Sequence, residues 1–293
     1  EPEITVKAYE RGTTITPQDL DDEDFSLTID KANYFAFKVD DIEEAHSHVN
    51  FQGLASDRAA YRLGDQFDQD VLGYLTGFKQ SAIHGTPNAV NSTVNGSVAV
   101  STAGTDELLS SMKIDAADFG GSGGDALALQ PRTGGATDST PAVGDTFPLT
   151  VIARMSRLLD QQNVDTQGRW LVVDPVFMEL LKDEDSRLFN ADFGGSGLQN
   201  GQIGTNIHGF RVYTSNNLPS VGTGPSFTGT NSAVNYGMIV AGHDSAVATA
   251  EQINKTETYR DPDSFADIVR GMHLYGRKIL RPEALVNAKY HLA

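Results

Sequence analysis

The chain has 293 residues, no cysteine, 22 Lys and Arg against 39 Asp and Glu, and a formal net charge of −17. That length supports one large or two ordinary domains with a buried core, and the missing cysteines exclude disulfides, thiolate zinc centres and cysteine nucleophiles. The acidic balance excludes a reader of specific DNA or RNA sequences, which needs clustered Lys and Arg to displace counterions; the densest basic stretch is only Arg270, Arg277, Lys278 and Arg281.

No apolar run approaches eighteen residues, so no membrane span is predicted. The acidic, polar start Glu-Pro-Glu-Ile-Thr-Val does not read as a signal peptide, and without an initiating Met the expectation is that residues upstream were cleaved, disordered or left out. Ile4 to Ala8 and Phe25 to Val39 alternate apolar and polar residues, which predicts the two arms of a long hairpin with an acidic tip between them. An isolated hairpin is marginal in water, so this one needs a neighbour to lie on.

From Asn50 to Gln80 the period changes. Leu63, Phe67, Val71 and Leu75 recur every four residues, which predicts one long amphipathic helix. Gly64, Gly73 and Gly77 weaken it by up to ~1 kcal/mol each, so close packing or a bend is expected there. Asn91 to Thr105 reads as short strands about an Asn95-Gly96 turn, followed by a low-complexity stretch from Gly120 to Gly144. Pro148 suits the first turn of a helix whose buried stripe is Leu149, Ile152, Ser156 and Leu159. Trp170 to Val173 is a buried strand, with Trp170 in the core; Asp174 caps a short helix over Val176 to Leu181. Strands are predicted at Phe210 to Thr214, Met238 to Ala241, Ala246 to Tyr259, Asp267 to Leu280 and Glu283 to Tyr290, with a turn at Asp261-Pro262-Asp263-Ser264. The class is α+β with one dominant helix.

The heptapeptide ADFGGSG occurs twice, at Ala117 to Gly123 and Ala191 to Gly197. Asp118-Phe119-Gly120 imitates a kinase tripeptide, but no H-R-D loop or V-A-I-K strand accompanies it. Gly120 to Gly124 satisfies G-x-S-x-G around Ser122, and Gly121 to Ala126 a loose dinucleotide turn; neither has the strand–turn–helix context those sites need. Both copies are read as flexible surface loops, and neither Ser122 nor Ser196 as a nucleophile. His46 and His48, beside Glu43 and Glu44, form the best metal candidate, yet two histidines without a third ligand read as polar surface. No catalytic, cofactor or metal residue emerges, so no cofactor is expected.

The order of elements and several phrases do carry a resemblance. The stretch TVKAYERGTTITPQDLDDEDFSLTIDKANYFAFKVDDIEEAHSHVNFQ, with its acidic run at Asp40 to Glu44, then RWLVVDPVFMELLKD, HGFRVYTSNNLP and the ending GMHLYGRKILRPEALVNAKYHLA, resemble the HK97-fold major capsid proteins of tailed bacteriophages. The resemblance implies an HK97-like capsid fold. Residues 1–40 would be its E-loop, an extended β-hairpin arm. Residues 41–82 would be the first part of the P-domain with the spine helix, 83–247 the axial A-domain, 248–281 the second part of the P-domain, and 282–293 a C-terminal strand in the A- or P-domain.

It further implies a subunit that assembles, in the host cytoplasm, into the icosahedral head of a virion around double-stranded DNA. The chain would meet itself in hexamers and pentamers, with scaffolding, portal and cement or decoration proteins as further partners. Subunit-interface residues are expected at the arm tip: Arg11, Asp21, Asp22, Glu23 and Asp24. Members of the family usually carry an N-terminal arm before the E-loop, and often a removed scaffolding segment; this sequence starts almost directly at the E-loop. Lys7, Lys31 and Lys38 are available for a Lys–Asn crosslink, but no motif marks a partner Asn. Two other readings stand beside this one: an encapsulin-like nanocompartment shell, and an acidic extracellular hydrolase or binding module suggested by Ser122 and the Gly/Ser/Thr-rich loops.

Overall fold

A computed structural model of the chain describes residues 8, 11–12, 26–40, 51–76, 108–123, 126–130, 145–182, 206–221, 225 and 236–292. In chain order the elements are β1 (Lys31–Asp40), α1 (Phe51–Leu75), β2 (Lys113–Ile114), β3 (Leu127–Leu129), β4 (Asp145–Thr146), α2 (Pro148–Gln161), β5 (Arg169–Val173) and α3 (Pro175–Leu181). They continue with β6 (Asn206–Ile207), β7 (Phe210–Thr214), β8 (Ser220–Val221), β9 (Tyr236–His243), β10 (Val247–Arg260), β11 (Ala266–Ile279) and β12 (Leu285–Leu292).

Two sheets divide the molecule. A three-stranded antiparallel sheet runs β1-β11-β10, and a nine-stranded mixed sheet is built on the path β4-β3-β12-β9-β5-β7-β6, with β2 on β12 and β8 on β9. The second sheet holds most of the core. Its central strands β9 and β12 are buried on both faces, where α2 and α3 pack beside a sheet that carries Leu171, Ile239, Val240, Leu285 and Val286 inward; β12 also buries Asn287 and Lys289.

Local chemistry fixes the helices. In α2, Pro148 occupies the first turn, and Val151, Ile152, Met155 and Leu159 are buried. The expected stripe was rotated: Leu149 and Ser156 are half-buried, and the 3.6-residue period places Val151 and Met155 inward instead. Asp174 caps α3 as expected, accepting the Phe177 N–H at 3.0 Å. Trp170 is only half-buried, with Leu171 and Val173 taking the core face of β5.

The arm needs a larger correction. The hairpin reading left its return strand with little to hold it to its own subunit. Instead β1 pairs with β11 along its whole length, from Lys31 opposite Tyr275 to Asp40 opposite Ala266. Residues 1–7 lie outside the described residues, as do Asn91 to Thr105. Helix α1 ends at Leu75, short of Gln80, where the Thr76 hydroxyl donates to the carbonyls of Leu72 and Gly73, each at 3.0 Å. Its 25 residues span roughly 38 Å at 1.5 Å each.

Asp174 also accepts a short hydrogen bond from the Tyr290 hydroxyl on β12. Burial pushes its carboxyl above the usual range, against the lowering effect of the Tyr290 and Phe177 donors. A carboxyl whose folded pKa exceeds its unfolded value binds its proton more tightly when folded. Its contribution is therefore fully present below the unfolded value near ~3.9 and is lost as pH rises through the folded one. Asp174→Asn keeps an acceptor oxygen but no charge to bury. The unfolding free energy of the parent minus that of the variant should fall between about pH 4 and neutrality. Urea melts at four pH values would show it, and a pH-independent difference would contradict this account.

Candidate assembly surfaces

The three-stranded sheet has two unlike faces. On one, α1 lies across β1 and β11. Arg277 forks onto Asp70 through Nε at 2.6 Å and Nη2 at 2.8 Å, and the Tyr275 hydroxyl donates to the same carboxylate at 3.0 Å. The Asn33 amide of β1 donates to the Tyr275 oxygen at 3.4 Å. Burial, and then the Asp70 charge, drive the Tyr275 hydroxyl well above its usual pKa. Phe67 meets Tyr275 edge-on at 4.8 Å between centroids, and Arg277 stacks over Tyr74 at 4.4 Å. Of the expected apolar stripe, Phe67 is half-buried in this contact beside polar and aromatic groups, Leu63 is half-buried, and Val71, also half-buried, packs against the large core.

Further contacts tie α1 to the nine-stranded sheet. Asn217 donates to Asp65 at 2.8 Å, the Asn287 amide donates to the Thr76 carbonyl at 2.9 Å, and Leu75 enters the large core. The helix is thus one rod shared by both sheets.

The opposite face is open over half its length. Tyr34 is 71% exposed, Tyr259 42% and Met272 40%. With Ala36, Lys255, Glu257, Arg270 and Gly271 they line a shallow groove of about 530 Å³. Arg270 forks onto Glu257 at 2.8 and 3.2 Å and lies over the Tyr259 ring at 4.9 Å; Lys255 pairs with the same carboxylate. Lys255 first, then Arg270, hold the Glu257 carboxyl below its usual range.

At the other end of this face the chain crosses itself. A Cβ on Gly276 would fall 2.4 Å from the Thr28 carbonyl oxygen and 3.0 Å from the Ile29 Cα, so residues 26–30 form a strap over β11 that only glycine admits. Lys278 Nζ donates to the Ser26 carbonyl at 3.1 Å. Beyond the groove the β10–β11 hairpin ends in a tight turn. There Asp261 accepts from Lys38 Nζ at 2.8 Å, the Ser264 hydroxyl at 2.6 Å and the Asp263 N–H at 3.1 Å, and these donors, Lys38 foremost, hold its carboxyl far below its usual range. Phe265 stands 79% exposed beside that turn.

Of the expected interface residues, Arg11 is exposed in a turn with Gly12, while Asp21, Asp22, Glu23 and Asp24 lie outside the described residues, as do His46, His48 and Ser196. The first ADFGGSG copy is described. Ala116–Phe119 is a 3₁₀ turn boxed by Asp115 and Asp118 and ended by Gly120 at φ 88°. Arg154 of α2 donates to Asp118 at 2.6 Å and sits over the Phe119 ring at 5.9 Å. Asp118 thus anchors a loop to a helix, and no strand runs into Ser122. Ser122→Ala should leave the melting free energy within about ±0.5 kcal/mol of the parent; a larger drop in a denaturant titration would give that hydroxyl a structural part.

The sequence reading did not single out the groove. Its signal was present, since Tyr34 alternates with Phe35 and Phe37 in KANYFAFKV and both strand faces therefore carry aromatics. Gly271 and Gly276 inside a strand likewise mark close approach of other groups: the Phe35 ring packs on Gly271 and the strap on Gly276. Among the described residues no cluster of His, Asp and Glu is placed to hold a metal, and no helix is long and apolar enough to cross a membrane.

A family model described as phage capsid protein matches residues 22–288. No curated protein matches the sequence. Among solved structures, a chain from Mycobacterium phage Che8 is 25% identical with a TM-score of 0.61, covering 97% of this chain and 80% of that one. The capsid structure of the cyanophage P-SCSP1u gives a TM-score of 0.64 at 16% identity, covering 100% of this chain and 81% of that one. The mature capsid of bacteriophage PhiM1 gives 0.61 at 18% identity, covering 99% and 79%.

Proposed function

Since the chain belongs to the phage capsid protein family and is a major capsid protein, a subunit of the phage shell, we propose that its two sheets divide the work of assembly in the HK97-like manner. The three-stranded sheet with α1 acts as the peripheral P-domain, α1 being the spine helix. The nine-stranded sheet acts as the axial A-domain, its loops gathered at the centre of a hexamer or pentamer. In this division β1, β10 and β11 belong together in the P-domain, and β12 returns to the A-domain. Residues upstream of β1 are the E-loop arm, which reaches across a neighbouring subunit.

The strap at Gly276 supports this reading, because residues 26–30 leave the edge of the sheet and cross β11 on its open face. The subunits close into an icosahedral head around double-stranded DNA, assembled in the host cytoplasm with portal, scaffolding and cement proteins as partners. A net charge of −17 suits a wall that must not grip the genome it stores and releases. The match to a phage capsid family favours this reading over a nanocompartment shell. The role is structural, and the 3₁₀ turn before Ser122 gives the hydrolase reading no support.

Deleting Arg11 to Asp24 and closing the gap with a short turn should leave a folded monomer that forms no shells. Circular dichroism, sedimentation and negative-stain microscopy against the parent would test it. Normal shells from the shortened chain would remove the arm from assembly, and an unfolded chain would place it in the subunit's own core.

A further inference from the structure

Two passages between the sheets lie side by side. β9 of the nine-stranded sheet ends at His243, a 3₁₀ turn follows over Asp244–Ala246, and Val247 opens β10 of the three-stranded sheet. The chain returns from β11 to β12 through a second such turn, Pro282–Ala284. The two passages are stitched together where the N–H groups of Leu280 and Arg281 donate to the Ala246 carbonyl, at 2.8 and 3.2 Å. Whatever fastens the first turn therefore helps to fix how the sheets are joined.

The fastening is one imidazole. His243 Nε2 lies 2.8 Å from the Gln167 carbonyl oxygen. A carbonyl can only accept, so the ring proton is on Nε2 and Nδ1 is an acceptor. Nδ1 takes the Ser245 N–H at 3.1 Å, and the Ser245 hydroxyl lies 2.8 Å from it. His243 thus caps the turn as Ser, Asp or Asn commonly do, and it also ties the turn to the loop before β5. The Asp244 N–H, donating to the Gly168 carbonyl at 3.2 Å, completes the tie. An imidazole differs from those other caps in one respect: a second proton makes Nδ1 a donor. The Ser245 hydroxyl can then turn and accept from it. The backbone N–H cannot, and two donors face each other.

The charges nearby decide what an imidazolium would meet. Asp244 Oδ2 and His243 Nε2 each lie 3.2 Å from the point where a Gly168 Cβ would stand, so the carboxylate is within about twice that distance of the ring. Other charged groups on the surrounding elements are engaged. Arg169, opposite His243 on β5, holds Asp160 and two backbone carbonyls; the Asp165 carboxylate takes the Gln167 N–H; Arg281 pairs with Glu283 on the second turn. Asp244 is left as the partner that draws the charged ring away from its cap.

We propose that His243 is a proton-sensitive clasp at the joint between the two sheets. Neutral, it holds the 3₁₀ turn to the loop before β5; doubly protonated, it gives up the Ser245 cap and the joint loosens. The hold is present where imidazole is neutral and is lost as the pH falls through the range, ordinarily between about 8 and 5, in which histidine gains its charge. The clasp needs only one subunit, whatever its sheets do in a shell.

Hydrogen exchange of the full chain tests it, followed by mass spectrometry in the peptide from Asp244 to Val247, with exposure times scaled for the intrinsic effect of pH. Between about pH 7.5 and about pH 5.5 protection there should fall by about tenfold, while β12 keeps its own. His243→Asn supplies an acceptor that takes no proton in this range and should abolish the fall; His243→Ala should exchange quickly at both values. Unchanged protection in the parent would overturn the proposal. So would an equal fall in β12, or the same fall in His243→Asn, which would give the effect to another group. If the Asn variant does not fold, nitrogen NMR of the parent decides. At about pH 7.5 His243 should carry its proton on Nε2, and Nδ1 should gain one over the same pH range in which the peptide loses protection. A proton already on Nδ1, or two separate ranges, would overturn it.

Discussion

Replacing Asp70 with Ala is expected to lower the unfolding free energy by ~3–5 kcal/mol. The carboxylate is buried and accepts three hydrogen bonds, two from Arg277 and one from Tyr275. Removing it strands a guanidinium whose side chain is only 15% exposed and leaves a buried phenol without its acceptor. The loss is therefore an uncompensated charge rather than a missing attraction. The double variant Asp70→Ala/Arg277→Met should recover part of the loss, because no buried cation then remains. Urea denaturation of the single and double variants measures both. A loss below about 1 kcal/mol would place the pair among solvent-screened contacts.

Phe177→Ala should cost a similar ~3–5 kcal/mol by a different route. The ring is fully buried in the core of the nine-stranded sheet and meets Tyr290 edge-on at 5.4 Å between centroids. Its removal opens a cavity under α3, where Leu180, Leu181 and the Tyr290 ring are already packed, and it also forfeits an aromatic pair worth ~0.5–1.5 kcal/mol. Hydrogen exchange should separate the two variants. Asp70→Ala should raise exchange chiefly in β1, β10 and β11, and Phe177→Ala in β5, β9 and β12. Identical patterns would mean that the two sheets unfold as one unit through their shared helix α1.

Much of the fold was legible because its signals are local. Pro148 in a first turn, the Asp174-Pro175 cap and the Asp261-Pro262 turn each fix a few residues by their own chemistry, and each was found where expected. The single dominant helix followed from one period sustained over many turns. What escaped was pairing. Nothing within KANYFAFKVD says that its partner is the strand around Tyr275, because register depends on the faces of both strands and on what covers them. The helix faces also misled slightly. Phe67 reads as part of an apolar stripe, while the contact it joins is organised by Asp70, Arg277 and Tyr275, whose charges and hydroxyl look like surface in the sequence. The groove was hidden for the converse reason: exposed aromatics in a strand are indistinguishable from core until the covering element is known.

The antiparallel join of β1 to β11 has a consequence in time. Asn33 and Tyr275, which meet in the finished sheet, are 242 residues apart in the sequence. On a ribosome adding ~5–20 residues per second, the first strand waits roughly 12–50 s for its partner. Until then no three-stranded sheet exists, and neither does the strap over Gly276 or the groove beside it. Closing so large a loop is also slow in itself. The open face of the three-stranded sheet is thus among the last parts of the molecule to form.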